Sequence, residues 1–185
     1  MNRIFYLVLI FINLIACKQI QDHEIAEFNC DNPVSDERMN VSLCLPNNNF
    51  EIEKNENYFI LNPKSNDSTN LSGVILSVKV DDFKENLNST WYRDEQLKQY
   101  QASSELDLKI LSKGNQMIDG KKFADLEMII SLSDKKFYSR TLFYFDKTIG
   151  YALDASVSNK KVNNDTKSSI LSLLKTFKID GPPNY

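Results

Sequence analysis

The chain has 185 residues, with 22 basic and 25 acidic side chains and a formal net charge of −3 at pH 7. This length is enough for one domain with a substantial core. The mild acidity excludes the basic stripe that a nucleic-acid-binding surface needs. With one histidine and five glycines, the chain is also poor in the residues that histidine-based catalysis and phosphate-binding loops require.

The first seventeen residues have the pattern of an export signal. Arg3 precedes a run from Ile4 to Ala16 that is apolar except for one asparagine, and a membrane-spanning helix needs about twenty such residues. We therefore expect a removed signal peptide at residues 1–16. Leu14-Ile15-Ala16-Cys17 resembles the lipobox of bacterial lipoproteins. That resemblance implies cleavage before Cys17, a diacylglyceryl thioether on its thiol, and an N-acyl chain such as palmitate.

The residue after Cys17 bears on the destination. Lys18 stands where enterobacterial lipoproteins kept in the inner membrane carry aspartate. The resemblance therefore implies a lipid-anchored protein of the outer membrane that faces the periplasm. The alternative is a plain secretory signal without lipid.

Lipidation of Cys17 leaves Cys30 and Cys44, an even pair in an oxidising compartment. Val41, Leu43 and Leu45 share one face of a predicted strand, so Cys44 points away from them, where it could meet Cys30. A bridge closing about fifteen residues would stabilise the fold by about 3 kcal/mol. The alternative is two independent thiols.

The mature chain divides into three parts. Residues 17–38 are polar and lack periodicity, which predicts a flexible tether that includes His23. Residues 39–180 hold the periodic segments and form a single domain. Residues 181–185, which contain Gly-Pro-Pro, are expected to be an unstructured tail.

In the first half of the domain, the sequence pattern predicts four strands, a polar surface loop and one helix. The helix has a thin apolar set and is expected to lie along the domain surface, with Thr90 or Ser89 as its N-cap. The strands are Asn40–Leu45, Phe50–Lys54, Tyr58–Leu61 and Gly73–Val80; the loop is Pro63–Ser72 and the helix Trp91–Ser103.

The second half predicts an antiparallel meander and a closing helix. Asp119-Gly120 is typical of a type I′ hairpin turn, and Gly114 is expected to kink the strand before it. A helix at Asn164–Phe177, capped by Asn164 or Asp165, must pack its apolar face on the sheet. The meander strands are Leu106–Ser112 with Gln116–Ile118, Lys122–Leu132, Lys136–Phe145 and Ile149–Val157.

This element order predicts an α+β domain, an antiparallel sheet of about six to seven strands with helices packed on it. Leu45-Pro46 followed by Phe50, a helix before a long meander, and the closing segment Leu173 to Ile179 resemble PsbP-like domains. In that family a tryptophan is usual where Phe50 stands. The resemblance implies an α/β/α sandwich and a non-enzymatic binding or assembly module.

Residue chemistry gives few candidate sites. The carboxylate pairs Asp81-Asp82 and Asp125 with Glu127 could bind calcium or act as acid and base, but adjacent strand residues point to opposite faces. We predict no enzyme activity, no metal site and no cofactor. Aromatic side chains are mostly core, and those left exposed would mark an interface. The interface candidates are Trp91, Tyr92, Tyr138 and Tyr144.

We therefore expect a membrane-anchored accessory module whose partner is another envelope protein. One alternative is an immunity protein that neutralises a toxin delivered to the periplasm. The other is a carrier that holds a small ligand in a closed apolar pocket between sheet and helix.

Overall fold

A computed structural model of the protein describes residues 32–45, 50–54, 58–64 and 71–184. Within these ranges the chain forms ten strands, the helices α1 (Ser89–Ala102) and α2 (Asn164–Lys175), and a 3₁₀ turn at Asn159–Lys161. The strands are β1 (Asn32–Asp36), β2 (Val41–Leu45), β3 (Phe50–Lys54), β4 (Tyr58–Pro63), β5 (Ile75–Asp82), β6 (Leu106–Ile118), β7 (Lys121–Leu132), β8 (Lys135–Asp146), β9 (Ile149–Ser158) and β10 (Lys178–Ile179).

Seven strands form one antiparallel sheet in the order β3-β4-β5-β9-β8-β7-β6. Two-residue turns join β6 to β7, β7 to β8 and β8 to β9. Turns this short can connect only neighbouring antiparallel strands, so β6 to β9 form the predicted meander. Asp119 and Gly120 have φ angles of 49° and 71°, the left-handed values that a type I′ turn needs. The predicted α+β architecture and its hairpin are confirmed.

Both faces of this sheet are covered. On one face, which we call the α1 side, α1 packs over β6, β7 and β8 and encloses Tyr92, Leu126 and Phe143. The opposite face, the α2 side, is covered by α2 and the small sheet β1-β2-β10, around a core that includes Leu153 and Leu174. Burial on both sides explains why β7 and β8 contain nearly continuous apolar runs.

The small sheet was not expected from the sequence. Strand β2 lies between β1 and β10, so one strand from each end of the domain pairs with it. Strand β1 falls inside the predicted tether at 17–38, and the domain start predicted at residue 39 is therefore too late. The sequence of β1, Asn-Pro-Val-Ser-Asp, has no apolar alternation. Backbone pairing with β2 orders it instead.

The tail prediction at 181–185 is wrong for the described residues 181–184. The backbone N–H of Asn184 donates to the carbonyl of Arg38 at 2.7 Å, and its side-chain amide donates to the carbonyl of Glu37 at 2.9 Å. The carbonyl of Gly181 accepts from the Tyr151 hydroxyl at 3.1 Å. These bonds attach the tail to the β1–β2 turn.

Helix starts and one strand irregularity also differ from the predictions. The N-caps are Asn88 and Asn163, whose side chains accept hydrogen bonds from Trp91 N and Thr166 N respectively. Strand β6 is continuous through Gly114, and its register shift lies between Ile110 and Ser112. An extra residue in one strand produces such a bulge without any glycine.

Cys44 is buried in β2 and alternates with the core residues Leu43 and Leu45. Cys17 and Cys30 lie outside the described residues, so the Cys30–Cys44 pairing stays a prediction. Residues 1–16 and His23 also lie outside this part of the chain. In the described part, neither helix has the length and apolar character needed to cross a bilayer.

Candidate functional site

An open cleft of about 520 Å³ lies where the start of α1 meets the β6–β7 hairpin. The helix contributes one wall, the hairpin the other, and β8 the floor. We call it the α1 cleft. Its lining residues are Leu87, Asn88, Ser89, Thr90, Asn115, Gly120, Lys121, Lys122, Tyr144 and Phe145.

The helix wall is held in place by two polar side chains. Asn88 Oδ1 accepts a hydrogen bond from Trp91 N at 2.9 Å, which satisfies one backbone donor that the helix start leaves open. The Ser89 hydroxyl donates to the carbonyl of Lys122 at 3.3 Å and accepts from the N–H of Phe145 at 3.0 Å. Ser89 therefore joins α1 to both β7 and β8.

The hairpin wall carries two cations with different roles. The Lys121 ammonium donates to the carbonyl of Ile179 at 2.8 Å and lies 5.8 Å from the centre of the Tyr144 ring. Both of these contacts are structural. Lys122 is exposed and pairs in register with Met117 of β6. The hairpin thus presents one exposed cation beside one exposed methionine.

The exposed apolar groups near the cleft are Met117 and Trp91. Met117 is 63% exposed, the largest fraction among the exposed large hydrophobic side chains of the described residues, and Trp91 is 36% exposed. The Trp91 ring packs edge-to-face on Phe83, with centroids 5.7 Å apart, and Phe83 in turn contacts the cleft residue Phe145. Trp91 is therefore held rigidly while part of its surface faces solvent.

The four predicted interface residues separate into two groups. Trp91 is exposed, and Tyr144 is half-buried on the floor of the cleft. Tyr92 and Tyr138 are fully buried, so the prediction that they face outward is wrong. The Tyr92 hydroxyl crosses to β5 and donates to Asp81 at 2.6 Å, and the Tyr138 ring lies 5.0 Å beneath the Lys167 ammonium of α2.

Two contributors to this surface were missed by sequence reasoning, Met117 and Lys122. A usable signal was present, because Ile118 ends an alternating strand just before the Asp119-Gly120 turn. If Ile118 faces the core, then its neighbour Met117 must point to the other face. The two-residue turn then places Lys122 opposite Met117.

One of the two predicted carboxylate pairs, Asp125 with Glu127, is engaged in structural contacts. Arg140 forms a bidentate ion pair with buried Asp125, at 2.6 and 3.1 Å, and Gln116 donates to the same carboxylate at 2.9 Å. Burial raises the pKa of Glu127, but its hydrogen bond and ion pair with Lys167 at 2.7 Å outweigh burial and lower the pKa overall. These contacts explain Asp125 and Glu127 without any catalytic role.

A further carboxylate, Asp154, lies on the α1 side of the sheet, and no cation among the described residues pairs with it. Three hydroxyls donate to it, from Ser139 at 2.6 Å, from Thr141 at 2.7 Å and from Ser156. Burial raises the pKa of Asp154, and the three hydrogen bonds only partly oppose that effect. Burial likewise raises the pKa of Tyr100 to about 12, with a contribution from the charge of Asp154.

The hydroxyls around Asp154 have no adjacent imidazole in the described part of the chain, so they lack the base that activates a nucleophilic serine. In the same part of the chain, no three His, Cys, Asp or Glu side chains converge in a way that could hold a metal ion. The absence of catalytic, metal and cofactor chemistry stays a prediction.

Comparison with known proteins supports the fold through structure alone. No protein-family model matches the chain, and no curated protein matches it. Solved structures do match. The solution structure of cyanobacterial PsbP (CyanoP) from Synechocystis sp. PCC 6803 superposes with a TM-score of 0.60 at 12% sequence identity, covering 80% of this chain and 91% of that one.

Two further structures have the same architecture. A crystal structure from Bacteroides thetaiotaomicron VPI-5482 gives a TM-score of 0.55 at 10% identity, covering 82% of this chain and 49% of that one. The protein of unknown function PA94 from Pseudomonas aeruginosa gives 0.53 at 12% identity, covering 73% and 88%. At these identities the likeness concerns the fold only. The chain therefore has a PsbP-like α+β fold.

Proposed function

We propose that this protein is a lipoprotein of the bacterial envelope whose PsbP-like domain binds another envelope protein and performs no catalysis. Cys17 supplies the lipid anchor, on the outer membrane facing the periplasm. The α1 cleft supplies the binding surface. This proposal combines the lipobox resemblance with the geometry of the cleft.

The observation that carries the proposal is the exposure of Trp91 and Met117 next to residues that line an open cleft, Thr90 and the exposed cation Lys122. Tryptophan and methionine are enriched in protein–protein interfaces, and rigidly held aromatic side chains contribute most to binding energy. Trp91 is fixed by its contact with Phe83, so little side-chain entropy is lost when a partner covers it.

The cleft does not favour the carrier alternative. It is open to solvent, and polar groups make up the larger part of its lining. A small-molecule site normally encloses most of its ligand between apolar walls. A second cleft, of about 470 Å³ beside β1, is lined by polar and charged residues alone: Ser35, Asp36, Glu37, Arg38 and Lys54.

Photo-crosslinking in intact bacteria tests the binding proposal. A photoreactive phenylalanine analogue replaces Met117 in the full chain, and the matched control replaces Ile52, which is 44% exposed on the distant edge strand β3. We expect a single adduct with one envelope protein from position 117 and none from position 52. Equal labelling at both positions, or no adduct at either, would contradict the proposal.

The identity of the adduct then discriminates between the alternatives. A resident envelope component supports the accessory role, whereas a toxin domain supports the immunity role. Trp91 is the only tryptophan of the chain, so its fluorescence reports on the cleft directly. We expect a blue shift when the purified partner is added, and Trp91→Ala should weaken binding at least about tenfold, a typical effect for a buried interface tryptophan.

Membrane fractionation tests the anchor separately. Cys17→Ala removes the only thiol in the lipobox, so the protein should leave the membrane fraction. Lys18→Ala keeps the lipobox cysteine, so this control should stay membrane-bound. Persistence of the Cys17→Ala protein in membranes would refute the lipid anchor but would leave the binding proposal untouched.

A further inference from the structure

Strand β6 forms one edge of the seven-stranded sheet, and within the described ranges no strand pairs with its outer side. It is 13 residues long, whereas strands average about five to six residues. The other edge strand, β3, has only five residues, and Glu51 and Glu53 are exposed along it. Unpaired backbone groups on a long edge are a template for pairing with another strand.

The two halves of β6 differ in how well that edge is protected. The register shift between Ile110 and Ser112 interrupts the strand, and Lys113 follows it. Bulges and lysines are common protections against edge-to-edge pairing. Before the bulge, the pairing with β7 is regular from Leu106↔Leu132 to Ile110↔Met128. Only this first half of β6 offers a regular edge.

The first half also carries an apolar strip on the α1 side. Leu106, Leu108 and Ile110 alternate along it, and their register partners continue the strip into the sheet. Helix α1 ends at Ala102, and both ends of the strip remain partly uncovered: Leu132, opposite Leu106, is 41% exposed, and Ile110 is 37% exposed. An apolar strip that reaches an open sheet edge is typical of an interaction surface.

The opposite face of the same segment carries two complementary charges. Asp107 and Lys109 are both exposed and lie two residues apart, so they share the face away from the apolar strip. When two copies of Leu106–Ile110 are paired antiparallel about Leu108, Leu108 faces its own copy and Leu106 faces Ile110. Asp107 of each copy then faces Lys109 of the other.

Neighbouring registers lack this match. A symmetric pairing shifted to centre on Lys109 places two ammonium groups opposite each other, and one centred on Asp107 places two carboxylates opposite each other. Like charges directly across a strand pair are destabilising, whereas opposite charges contribute about 0.2–1 kcal/mol for each pair. The segment is therefore self-complementary in one register only.

We propose that two copies of this chain associate through β6, with residues 106–110 paired antiparallel about Leu108. Such an interface is isologous, the common arrangement of symmetric dimers, and joins the two sheets into one of fourteen strands. Met117 lies nine residues from Leu108 along the strand, about 30 Å at roughly 3.3 Å per residue. The two α1 clefts thus face opposite ends of the dimer and stay accessible.

Disulfide trapping in the full, membrane-anchored chain tests the register. A cysteine replacing Leu108 lies opposite itself, with Cβ atoms about 4.5–5.5 Å apart, within reach of a bridge. We expect Leu108→Cys to give a covalent dimer on a non-reducing gel under mild oxidation. Met117→Cys, more exposed but outside the paired segment, should give at most one tenth as much. The unsubstituted chain supplies the background.

Charge exchange tests the specificity of the contact, with Leu108→Cys as the reporter. Asp107→Lys alone and Lys109→Asp alone each place like charges across the interface, and each should lower dimer yield about tenfold. The double exchange restores both pairs and should restore the yield. Both side chains are exposed, so thermal unfolding should show intact folds in all three variants.

Three outcomes would overturn the proposal. The first is no dimer from Leu108→Cys, and the second is a Met117→Cys dimer of equal yield, which would indicate random collision. The third is failure of the double exchange to recover the yield. Partner binding at the α1 cleft is measured independently, so failure of the dimer leaves that function standing.

Discussion

The Asp125 carboxylate lies at the centre of the polar contacts between β6, β7 and β8. It is buried, and it accepts hydrogen bonds from Arg140 on β8 and Gln116 on β6. A buried ion pair stabilises little compared with apolar residues, but removing one partner leaves an uncompensated charge. Asp125 is thus a point where a single substitution is expected to have a large effect.

Arg140→Met should destabilise the protein by about 3–5 kcal/mol, because it leaves the Asp125 carboxylate buried in the sheet without its cation. Denaturant unfolding measures this loss. The matched control is Lys98→Met, which removes an exposed ion pair with Glu95 on α1 and should cost less than about 1 kcal/mol. Adding Asp125→Leu to Arg140→Met should recover part of the loss; a further loss would contradict this account.

Asp154 should make the stability of the protein depend on pH in the direction opposite to that of most carboxyl groups. Its pKa is raised in the folded state by burial, so the folded protein binds the proton more tightly than the unfolded chain does. The contribution of Asp154 to stability is therefore greatest below its unfolded pKa of about 4 and is lost as the pH rises through its folded pKa.

Asp154→Asn removes this titration while its amide oxygen can still accept from Ser139 and Thr141. The free energy of unfolding of the variant, relative to the parent, should therefore increase between about pH 4 and pH 7. Denaturant titrations of both proteins at each pH measure it. A relative stability that is constant or falls with pH would show that the carboxylate is not penalised by burial.

At the scale of single residues, composition could not place Tyr92 or Tyr138. A tyrosine fits a core or an interface equally well, and a buried tyrosine hydroxyl usually has a hydrogen-bond partner. Tyr138 departs from this rule, because its buried hydroxyl makes no hydrogen bond within the described residues. For Tyr92 that partner is Asp81 on β5, which pairs with β9 rather than with any strand under α1. No local sequence pattern contains such a contact. The exposed positions of Met117 and Lys122, in contrast, follow from strand alternation and from the two-residue turn between them.

At the scale of elements, the N-cap of each helix lies one residue before the earlier of the two caps that the sequence predicted. Asn88 and Asn163 have extended backbones, and each side chain bonds a backbone N–H three residues on. Sequence reasoning favoured the residues that follow, Ser89 or Thr90 and Asn164 or Asp165, because several good capping residues are adjacent in both places. Propensity ranks the residue types but does not select among neighbours.

Asn88→Ala should therefore destabilise the protein by about 1 kcal/mol, while Thr90→Ala, at one of the two predicted caps, should have little effect. Thermal or denaturant unfolding measures both. A larger loss for Thr90→Ala than for Asn88→Ala would place the cap where the sequence suggested. Because Asn88 also lines the α1 cleft, the same variant shows whether partner binding depends on a well-formed helix start.

Among strands, the strongly patterned ones could be predicted and the weakly patterned ones could not. The meander strands β6 to β9 alternate or carry long apolar runs, so they were found within a few residues of their bounds. Strands β1 and β10 have five and two residues and owe their conformation to β2. The β2–β10 pairing joins positions far apart in the chain, and no local window of sequence contains it. Strand β1 lies close to β2 in the sequence, but its residues lack the apolar alternation that predicts a strand.

At the scale of the whole molecule, the tail closes the small sheet. The N–H of Asp180 donates to the carbonyl of Asn40 at 3.0 Å, and the amide of Asn40 donates to the carbonyl of Pro182 at 3.1 Å. Together with the bonds made by Asn184, these contacts hold the turn between β1 and β2.

Deleting residues 180–185 should therefore loosen the β1–β2 turn while leaving the meander intact. Hydrogen exchange checks this region by region. We expect faster exchange across residues 34–41 and unchanged protection in β7 and β8, since local opening follows the loss of local contacts. Uniformly faster exchange throughout the sheet would mean that the tail supports the whole domain instead.

The pairing of β2 with β10 also determines when the protein can fold during its synthesis. Val41 pairs with Ile179, so this pairing cannot form until residue 179 has left the ribosome. Contacts that join distant residues form slowly, because a long loop must close before they form. A growing chain therefore lacks its last core strand and remains open. That open state is what a protein needs if it is to be threaded through a narrow export channel before it folds.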